Sequence, residues 1–460
     1  MEEENSYQQD EAKVETRPQS INYSEEFEVR VPEVGTSWFA AVFLVVNAAL
    51  GAGLLNFPES YYQAGGVLIG IVIQAFLMIF VVAALLILVY CSDKNQSTNY
   101  QEVVFYLCGH QGLLWCSIAI TLYCYGTCIT FLIIIGDQWQ EFFIFVNKSL
   151  FCTNPWYMDR IFTITVTSTI LILPFCFPKK IDFLKYASCL GVVAVIYVVI
   201  VVIVKYALLE SPPEYIRTSP ENWIDVFYVM PTVCFSYQCH VSVIPIYSCL
   251  KKRTLREFSK TIAVAIALCI ITYTVMATCG YLTFGSKIKS DILLSYNNPD
   301  VSILVAVLLI GFKTYTCYPI LHFCGRAGLE SLWCYIFNLS AVSASIHEKT
   351  RRIIMTLVWF FTTLILAVLI PNIGVVIAFL GTLAAVFIFV FPGICVLQLG
   401  LHMSDSPVWK PRLAVGCGIL FLSLGAFIFG VTFTQAILDN LHGFSGSGLE
   451  NICDTNVTST

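Results

Sequence analysis

The chain has 460 residues, 57% of them apolar and only 12% charged, with a net charge of −5. A soluble domain carries roughly a quarter charged residues, so this composition excludes a water-wetted globule, a disordered chain and a small disulfide scaffold. A basic run with interleaved aromatics, the footprint of a nucleic-acid partner, is missing, which leaves an integral membrane protein whose outer surface meets the lipid bilayer.

Residues 1–36 are acidic and polar, with neither the apolar core nor the small-residue cleavage site of a signal peptide. They read as a disordered cytosolic tail. A membrane span needs about 20 predominantly apolar residues. In chain order such segments fall at 37–58, 67–90, 112–136, between Arg160 and Lys179, 186–204, 223–250, between Lys260 and Lys287, and at 301–325. The stretch 353–401 holds 49 uncharged residues, too long for one crossing. Pro371-Asn372 near its middle divides it, because proline cannot continue the hydrogen-bond ladder and asparagine favours turns. A last span at 413–438 brings the predicted total to eleven, followed by an extracellular or lumenal tail at 439–460. Strict apolar/polar alternation is absent, so the class is an all-α membrane protein rather than a barrel.

With the N-terminus in the cytosol, eighteen of the 25 Lys and Arg fall in cytosolic segments and six on the other side, leaving Lys313 inside a span. That bias satisfies the positive-inside rule and places the C-terminus outside. The sequons at Asn147 and Asn456 then lie on the glycosylated side, although Asn22, Asn95 and Asn338 match the same pattern on the cytosolic side. Most of the 19 cysteines sit within spans, where cysteine acts as a small hydrophobe. Cys152 and Cys453 lie outside and could form one bridge at most. Cysteine and histidine show no zinc spacing, so neither a transition metal nor a cofactor is expected.

Phosphate-loop, H-E-x-x-H and G-x-S-x-G motifs are absent, and the spans do not concentrate His, Asp or Glu as a membrane enzyme would. The chain reads as no enzyme but as a small-molecule carrier, with a channel as rival. Local polar interruptions, rather than a continuous polar stripe, favour the carrier.

Those interruptions have positions. Span 1 contains Gly51-Ala52-Gly53, poor helix formers that expose backbone, with Asn47 one turn earlier. Small residues also serve close helix packing, but an amide in lipid must face a polar partner or a cavity. In span 6, Pro231 and Pro245 bracket the polar run Cys234–His240, which includes Ser236, Gln238 and His240. Breaks in spans 1 and 6 divide the chain into two units of five helices, 37–208 and 209–401, with 402–438 appended as the eleventh helix and its preceding loop. A five-helix unit repeated in tandem must re-enter the membrane from the other side, which is the inverted-repeat plan of secondary transporters with substrate at the midplane. Amides after Gly53 suit a carboxylate, and free carbonyls suit an ammonium or a cation. Span 8 adds Lys313, Thr314 and Thr316. The hydroxyls are hard-cation ligands or back-bond to their own helix. The lysine is a tethered ammonium, a proton carrier, or a snorkelling side chain. Span 3 offers Tyr123, Tyr125, Gly126 and Thr127 as a cavity lining, while His240 and His322 read foremost as buried core residues.

The run Asn47-Ala48-Ala49-Leu50-Gly51-Ala52-Gly53-Leu54-Leu55-Asn56-Phe57-Pro58 resembles the first-helix signature of the sodium-coupled neutral amino acid transporters, within the amino acid/auxin permease family. Ile135-Gly136-Asp137-Gln138, Pro155-Trp156-Tyr157, Gln238-Cys239-His240, Tyr281-Leu282-Thr283-Phe284-Gly285, Asp291-Ile292-Leu293-Leu294-Ser295-Tyr296 and Tyr318-Pro319-Ile320-Leu321-His322 agree with it. The resemblance implies a LeuT-like fold and carriage of glutamine-like neutral amino acids, nearest to a glutamine-preferring branch that includes a lysosomal exporter. It also implies a sodium role for Asn47 and the helix-8 hydroxyl Thr316, and a substrate backbone site at Gly51–Gly53. Ser236 stands where the family leads one to expect glycine, and Lys313 where it leads one to expect an apolar residue.

The expectation is a monomeric secondary transporter of neutral amino acids, glutamine and asparagine first, coupled to Na+ or H+ in the plasma or lysosomal membrane. Substrate would meet Gly51, Ala52, Gly53, Ser236, Gln238 and Tyr125; the ion would meet Asn47, Thr314, Thr316 and Lys313. An amino acid sensor signalling through its cytosolic tail is the alternative.

Overall fold

Ser37 starts the first helix: its Oγ accepts from Ala40 N and caps α1 (Trp38–Ala49). The helix stops at Leu50, whose ψ of 81° is not helical. The chain resumes as α2 (Gly53–Gln63), bent by 61° from α1. Gly65 and Gly66 then take φ of +100° and +120°, and a Cβ on Gly65 would lie 2.5 Å from Pro220 N, so only glycine lets the loop between spans 5 and 6 rest here.

The computed structural model describes residues 35–153, 155–178, 185–213, 215–296, 300–337, 346–370, 372–403 and 407–442. Its remaining helices are α3 (Val67–Asn95), α4 (Tyr100–Cys152), α5 (Arg160–Leu171), α6 (Leu173–Cys176), α7 (Lys185–Ala207), α8 (Val229–Ser236), α9 (His240–Ser248), α10 (Leu255–Phe284), α11 (Val301–Ile336), α12 (Glu348–Leu369), α13 (Ile373–Ala385), α14 (Phe391–Leu401) and α15 (Trp409–His442). A π turn at Val386–Val390 joins α13 to α14 within span 10. The division of the long apolar stretch is where proline and asparagine placed it: α12 ends at Leu369, and Asn372 caps α13 by accepting from Gly374 N at 2.8 Å. Span 3 is longer than its apolar core, because α4 begins ahead of a kink at Gly109, φ 68°.

Among the described residues, nine helical stretches are long and apolar enough to cross a bilayer, and the bent α1–α2 pair makes a tenth. The predicted fourth span is helical over Arg160–Leu171 and Leu173–Cys176, interrupted at Ile172 ahead of Pro174. Its first helix has 12 residues, below the length of a full crossing. The tail 1–34, Asn456 and Cys453 lie outside the described residues, as does the side chain of Cys152.

Packing follows the inverted repeat. Span 1 packs on span 7 as span 6 packs on span 2; span 5 packs on span 8 as span 10 packs on span 3; span 9 packs on span 3 as span 4 packs on span 8. Adding or subtracting five converts each contact into its mate.

Polar side chains sort the helices into two bodies. In the first, Tyr61 (α2) donates to Gln74 (α3), whose Nε2 donates to Tyr237 after α8 at 2.8 Å and to Thr274 (α10) at 3.2 Å. One buried amide thus ties together spans 1, 2, 6 and 7. In the second, Arg326 (α11) donates to Cys176 O and Pro178 O of the α6 end and to Thr356 (α12). Tyr318 meets Thr363 at 2.7 Å, and Trp139 (α4) donates to Tyr315 at 2.9 Å. Spans 3, 4, 8 and 9 are joined in this way. An interhelical hydrogen bond in lipid is worth roughly 0.6 kcal/mol on average. Such networks therefore set geometry more than stability.

Candidate functional site

The two helix breaks face each other. Tyr273 of α10 spans them: its hydroxyl donates to Ala49 O at 2.7 Å, the last carbonyl of α1, and reaches Ser236 O, the last of α8, at 3.1 Å. Helix ends leave carbonyls unpaired, and a fully buried phenol is the partner that these two share. Gly53 presses the breaks together. A Cβ there would stand 1.9 Å from Ser236 Oγ, 3.0 Å from Ser236 Cβ and 3.2 Å from a Phe235 ring carbon. Gly51, by contrast, faces open space, since a Cβ would meet only Ala49 O at 3.8 Å. Neither glycine has positive φ, so the break needs their small size rather than left-handed backbone.

Lys313 of α11 enters this junction from the other body. It is only 7% exposed, its stem passes Gly191 of α7, and its Nζ donates to Leu50 O, the carbonyl that the break frees. A buried ammonium in a span must find a compensating dipole or charge, and here a backbone carbonyl supplies it. Beside it Gly51, Ala52, Lys313 and Thr314 line a cavity of about 20 Å³, roomy enough for about one water and too small for an amino acid.

The other expected ion-site residues divide. Asn47 is half-buried, and among the described residues its side-chain amide makes no hydrogen bond. Thr314 donates to Ile310 O at 2.6 Å, and Thr316 donates to Lys313 O at 2.8 Å, so both hydroxyls spend their protons on their own helix and keep lone pairs free. At the second break Ser236 Oγ and Gln238 Nε2 are buried with no protein partner among the described residues. Such orphans are costly unless something completes them. Tyr125 is placed elsewhere: its ring packs edge-on against Trp359 of α12 at 5.1 Å. Tyr123, two residues earlier, is the ring beside Phe235 at the break. Asn147 is exposed at the end of the long helix, in non-helical backbone, with Oδ1 accepting from Leu150 N.

Two positions that hold the junction together escaped sequence reasoning. Tyr273 is one tyrosine among 23 and carries no local signal. Gln74 had one, a lone amide in an otherwise apolar span. Asn56 of α2 accepts from Thr232 of α8 at 2.9 Å, a third link between the broken spans.

The profile of the transmembrane amino acid transporter protein family matches residues 34–436. "Sodium-coupled neutral amino acid transporter 7" of Danio rerio is 46% identical over 413 residues, 88% of each chain, and that of Homo sapiens is 44% identical over 412 residues, 88% of this chain and 89% of the relative. The chain belongs to the sodium-coupled neutral amino acid transporter family. The transporter is also 33% identical over 416 residues to human "Solute carrier family 38 member 8", covering 87% of this chain and 94% of that one. Among solved structures, an Eremococcus coleocola manganese transporter superposes with a TM-score of 0.50 at 11% identity, covering 91% of this chain and 93% of that one. That likeness bears on the fold alone, which is LeuT-like. The transporter is thus a multi-pass membrane amino acid carrier and not an enzyme.

Proposed function

We propose that this protein carries neutral amino acids, glutamine and asparagine foremost, by alternating access with gradient coupling. The observation that supports the reading best is the junction of two broken helices around Tyr273, with Ser236 Oγ and Gln238 Nε2 left unpaired beside it. The backbone at Gly51, Ala52 and Gly53 would receive the substrate carboxylate at the start of α2, where helix polarity is positive. Carbonyls at the end of α1 would receive its ammonium, and Ser236 with Gln238 would meet an amide side chain. Tyr125 contributes from behind, by seating Trp359, rather than by contact.

Sodium is the first reading of the coupling ion, because the relatives carry that ion in their names. Asn47, Thr314 and Thr316 would supply oxygen ligands to it. The proton is the second reading, and one observation favours it: the Lys313 ammonium already rests on the freed Leu50 carbonyl. One monovalent ion crossing about 100 mV supplies roughly 2.3 kcal/mol, and about 1.4 kcal/mol is tenfold in concentration, so either ion suffices. The protein would act as a monomer in the plasma or lysosomal membrane, with its N-terminus in the cytosol and Asn147 glycosylated.

Radiolabelled glutamine flux in proteoliposomes, with sodium and proton gradients imposed separately, tests the reading. Uptake driven by sodium alone supports the first coupling, and uptake driven by protons alone the second. Absence of flux under both gradients with correctly inserted protein would refute glutamine carriage.

A further inference from the structure

Away from the central junction, the two bodies meet again at the end predicted to face outward. Here the segment between spans 7 and 8, including the 3-10 turn Ile292–Ser295, lies against α2 and α4. Asn56 of α2 donates to Ser290 O at 3.2 Å and to Glu59 at 2.8 Å. Gln138 of α4 donates to Asp291 Oδ2 at 3.0 Å, while Asp291 Oδ1 caps the turn at Leu293 N.

This contact buries an excess of acid. Asp137, Glu141 and Asp291 are 5%, 3% and 0% exposed. The bases facing them are Arg160 of α5, 3.4 Å from Asp137, and Lys289 of the 7–8 segment, whose charge acts on Asp137 and Glu141. Arg160 divides its guanidinium among Asp137, Ile133 O and Ala367 O, each at 3.4 Å. Glu59 adds a further carboxylate from α2 beside Ser290. Lys205 of α7 is taken up by Asp300 at the start of α11. Two atoms in the cluster point to a missing group: among the described residues Glu141 Oε2 and Gln138 Oε1 are both buried and without a hydrogen-bond partner. Gln138 Nε2 is already used on Asp291, so its oxygen needs a donor. A carboxylate offers none; a protonated carboxyl offers one. Burial first, and then the neighbouring Asp137 charge, push the Asp291 carboxyl well above its usual range.

We propose that this cluster is a proton-binding site, with one proton shared among Glu141, Asp291 and Asp137, and that the bound proton latches the 7–8 segment onto α4. Three buried carboxyls against Arg160 and Lys289 become neutral on taking up one proton from the outer compartment. Proton uptake also turns an acceptor-only carboxylate into a group able to donate, the type of partner that Gln138 Oε1 lacks. At higher pH it leaves, like charges face each other across the two bodies, and the segment lifts. The outer end is therefore held shut by acid and released by alkali, whichever ion drives transport at the centre. The site concerns the outer gate of the alternating-access reading, but its test needs no substrate.

Hydrogen–deuterium exchange of residues 285–296, with the full chain in lipid nanodiscs and rates corrected for the intrinsic effect of pH, measures the latch directly. The wild type is expected to exchange at least tenfold faster at pH 8.5 than at pH 5.5. Glu141→Gln, which keeps the shape and fixes a donor amide, should stay slow at both. Asp291→Asn, which retains the turn cap, should also flatten the dependence. A wild type with no corrected pH dependence, or variants that keep the wild-type ratio, would overturn the proposal. Glutamine flux measured on the same preparations is independent, so loss of flux with an intact exchange pattern counts against the substrate reading and not against the latch.

Discussion

The two broken helices are related by the repeat, yet their breaks are finished differently. In span 6 the break is closed from within: Tyr237 N bonds Val233 O, Cys239 N bonds Tyr237 O, and Ser242 N and Val243 N both bond Cys239 O. Of its side chains, Tyr237 is held inside the first body by Gln74. In span 1 the chain bends by 61°; its own turn bonds run from Leu54 N to Gly51 O and from Leu55 N to Ala52 O, and among the described residues Leu50 O is answered from the other body, by Lys313. On the alternating-access reading proposed above, one break is a fixed wall and the other is the seam along which the bodies would slide. Inverted symmetry copies the fold but not the chemistry; a substrate or ion that binds at the seam can favour one arrangement over the other because its contacts change as the seam moves.

Forcing the breaks apart is the largest perturbation of this contrast. Gly53→Leu should abolish uptake with surface amount retained, because even a Cβ meets Ser236 at 1.9 Å. The milder Gly53→Ala should lose roughly tenfold, and Gly53→Ala with Ser236→Gly should recover most of it, since the nearest atoms are then gone; a fully active Gly53→Ala would show that the breaks do not stay packed through the cycle. Next in size is the seam itself. Lys313→Met should shift the sodium or pH dependence of glutamine uptake by about tenfold or more, whereas an unaltered profile in both would reduce Lys313 to a structural tether. Tyr273→Phe ranks third. It removes the single hydroxyl proton that the two buried carbonyls share, a bifurcated bond worth about 1 kcal/mol, and leaves both without it, so uptake should fall several-fold and the thermal midpoint should drop by a few degrees. Equal midpoints for Tyr273→Phe and wild type would mean that the bridge between the breaks carries no load.

Much of this was legible because lipid tolerates so few polar residues. Pro371-Asn372, the Gly51–Gly53 interruption, the polar run before His240 and the lone Lys313 all stand out against an apolar background, and the structure places Asn372, the glycines, the polar run and Lys313 each at a helix end or a body boundary. Sequence spacing failed where direction matters. Tyr123 and Tyr125 are both aromatic and two residues apart on one helix, about 200° apart around its axis; only packing shows that the first meets the break and the second meets Trp359. Tyr273 was hidden for the opposite reason, since a tyrosine in so aromatic a chain is unremarked until its hydroxyl is seen between two freed carbonyls. The carboxylate cluster was visible only as fragments, Asp137-Gln138 and Asp291 in separate motifs, because long-range contact between residues 153 positions apart leaves no local pattern.

The smallest expected effect is at Ser236, and it separates packing from recognition. Ser236→Gly deletes a buried hydroxyl that has no protein partner among the described residues. The relief of desolvation, about 1–3 kcal/mol, offsets the cost of about 1 kcal/mol for glycine in a helix, so the thermal midpoint should move by only a few degrees. What should change is the room beside Gly53, where the Ser236 side chain supplies the two nearest atoms. Competition assays on glutamine uptake should then show bulkier neutral amino acids, such as leucine or methionine, inhibiting several-fold better than in the wild type, with glutamine weakened by a similar factor. If serine merely fills a gap, both inhibition constants stay put while the midpoint still shifts slightly. If it completes the substrate's polar end, glutamine alone weakens and the bulkier competitors gain nothing. The three patterns are distinct: the first gives Ser236 both a packing role and a polar contact to glutamine, the second packing alone, and the third recognition alone.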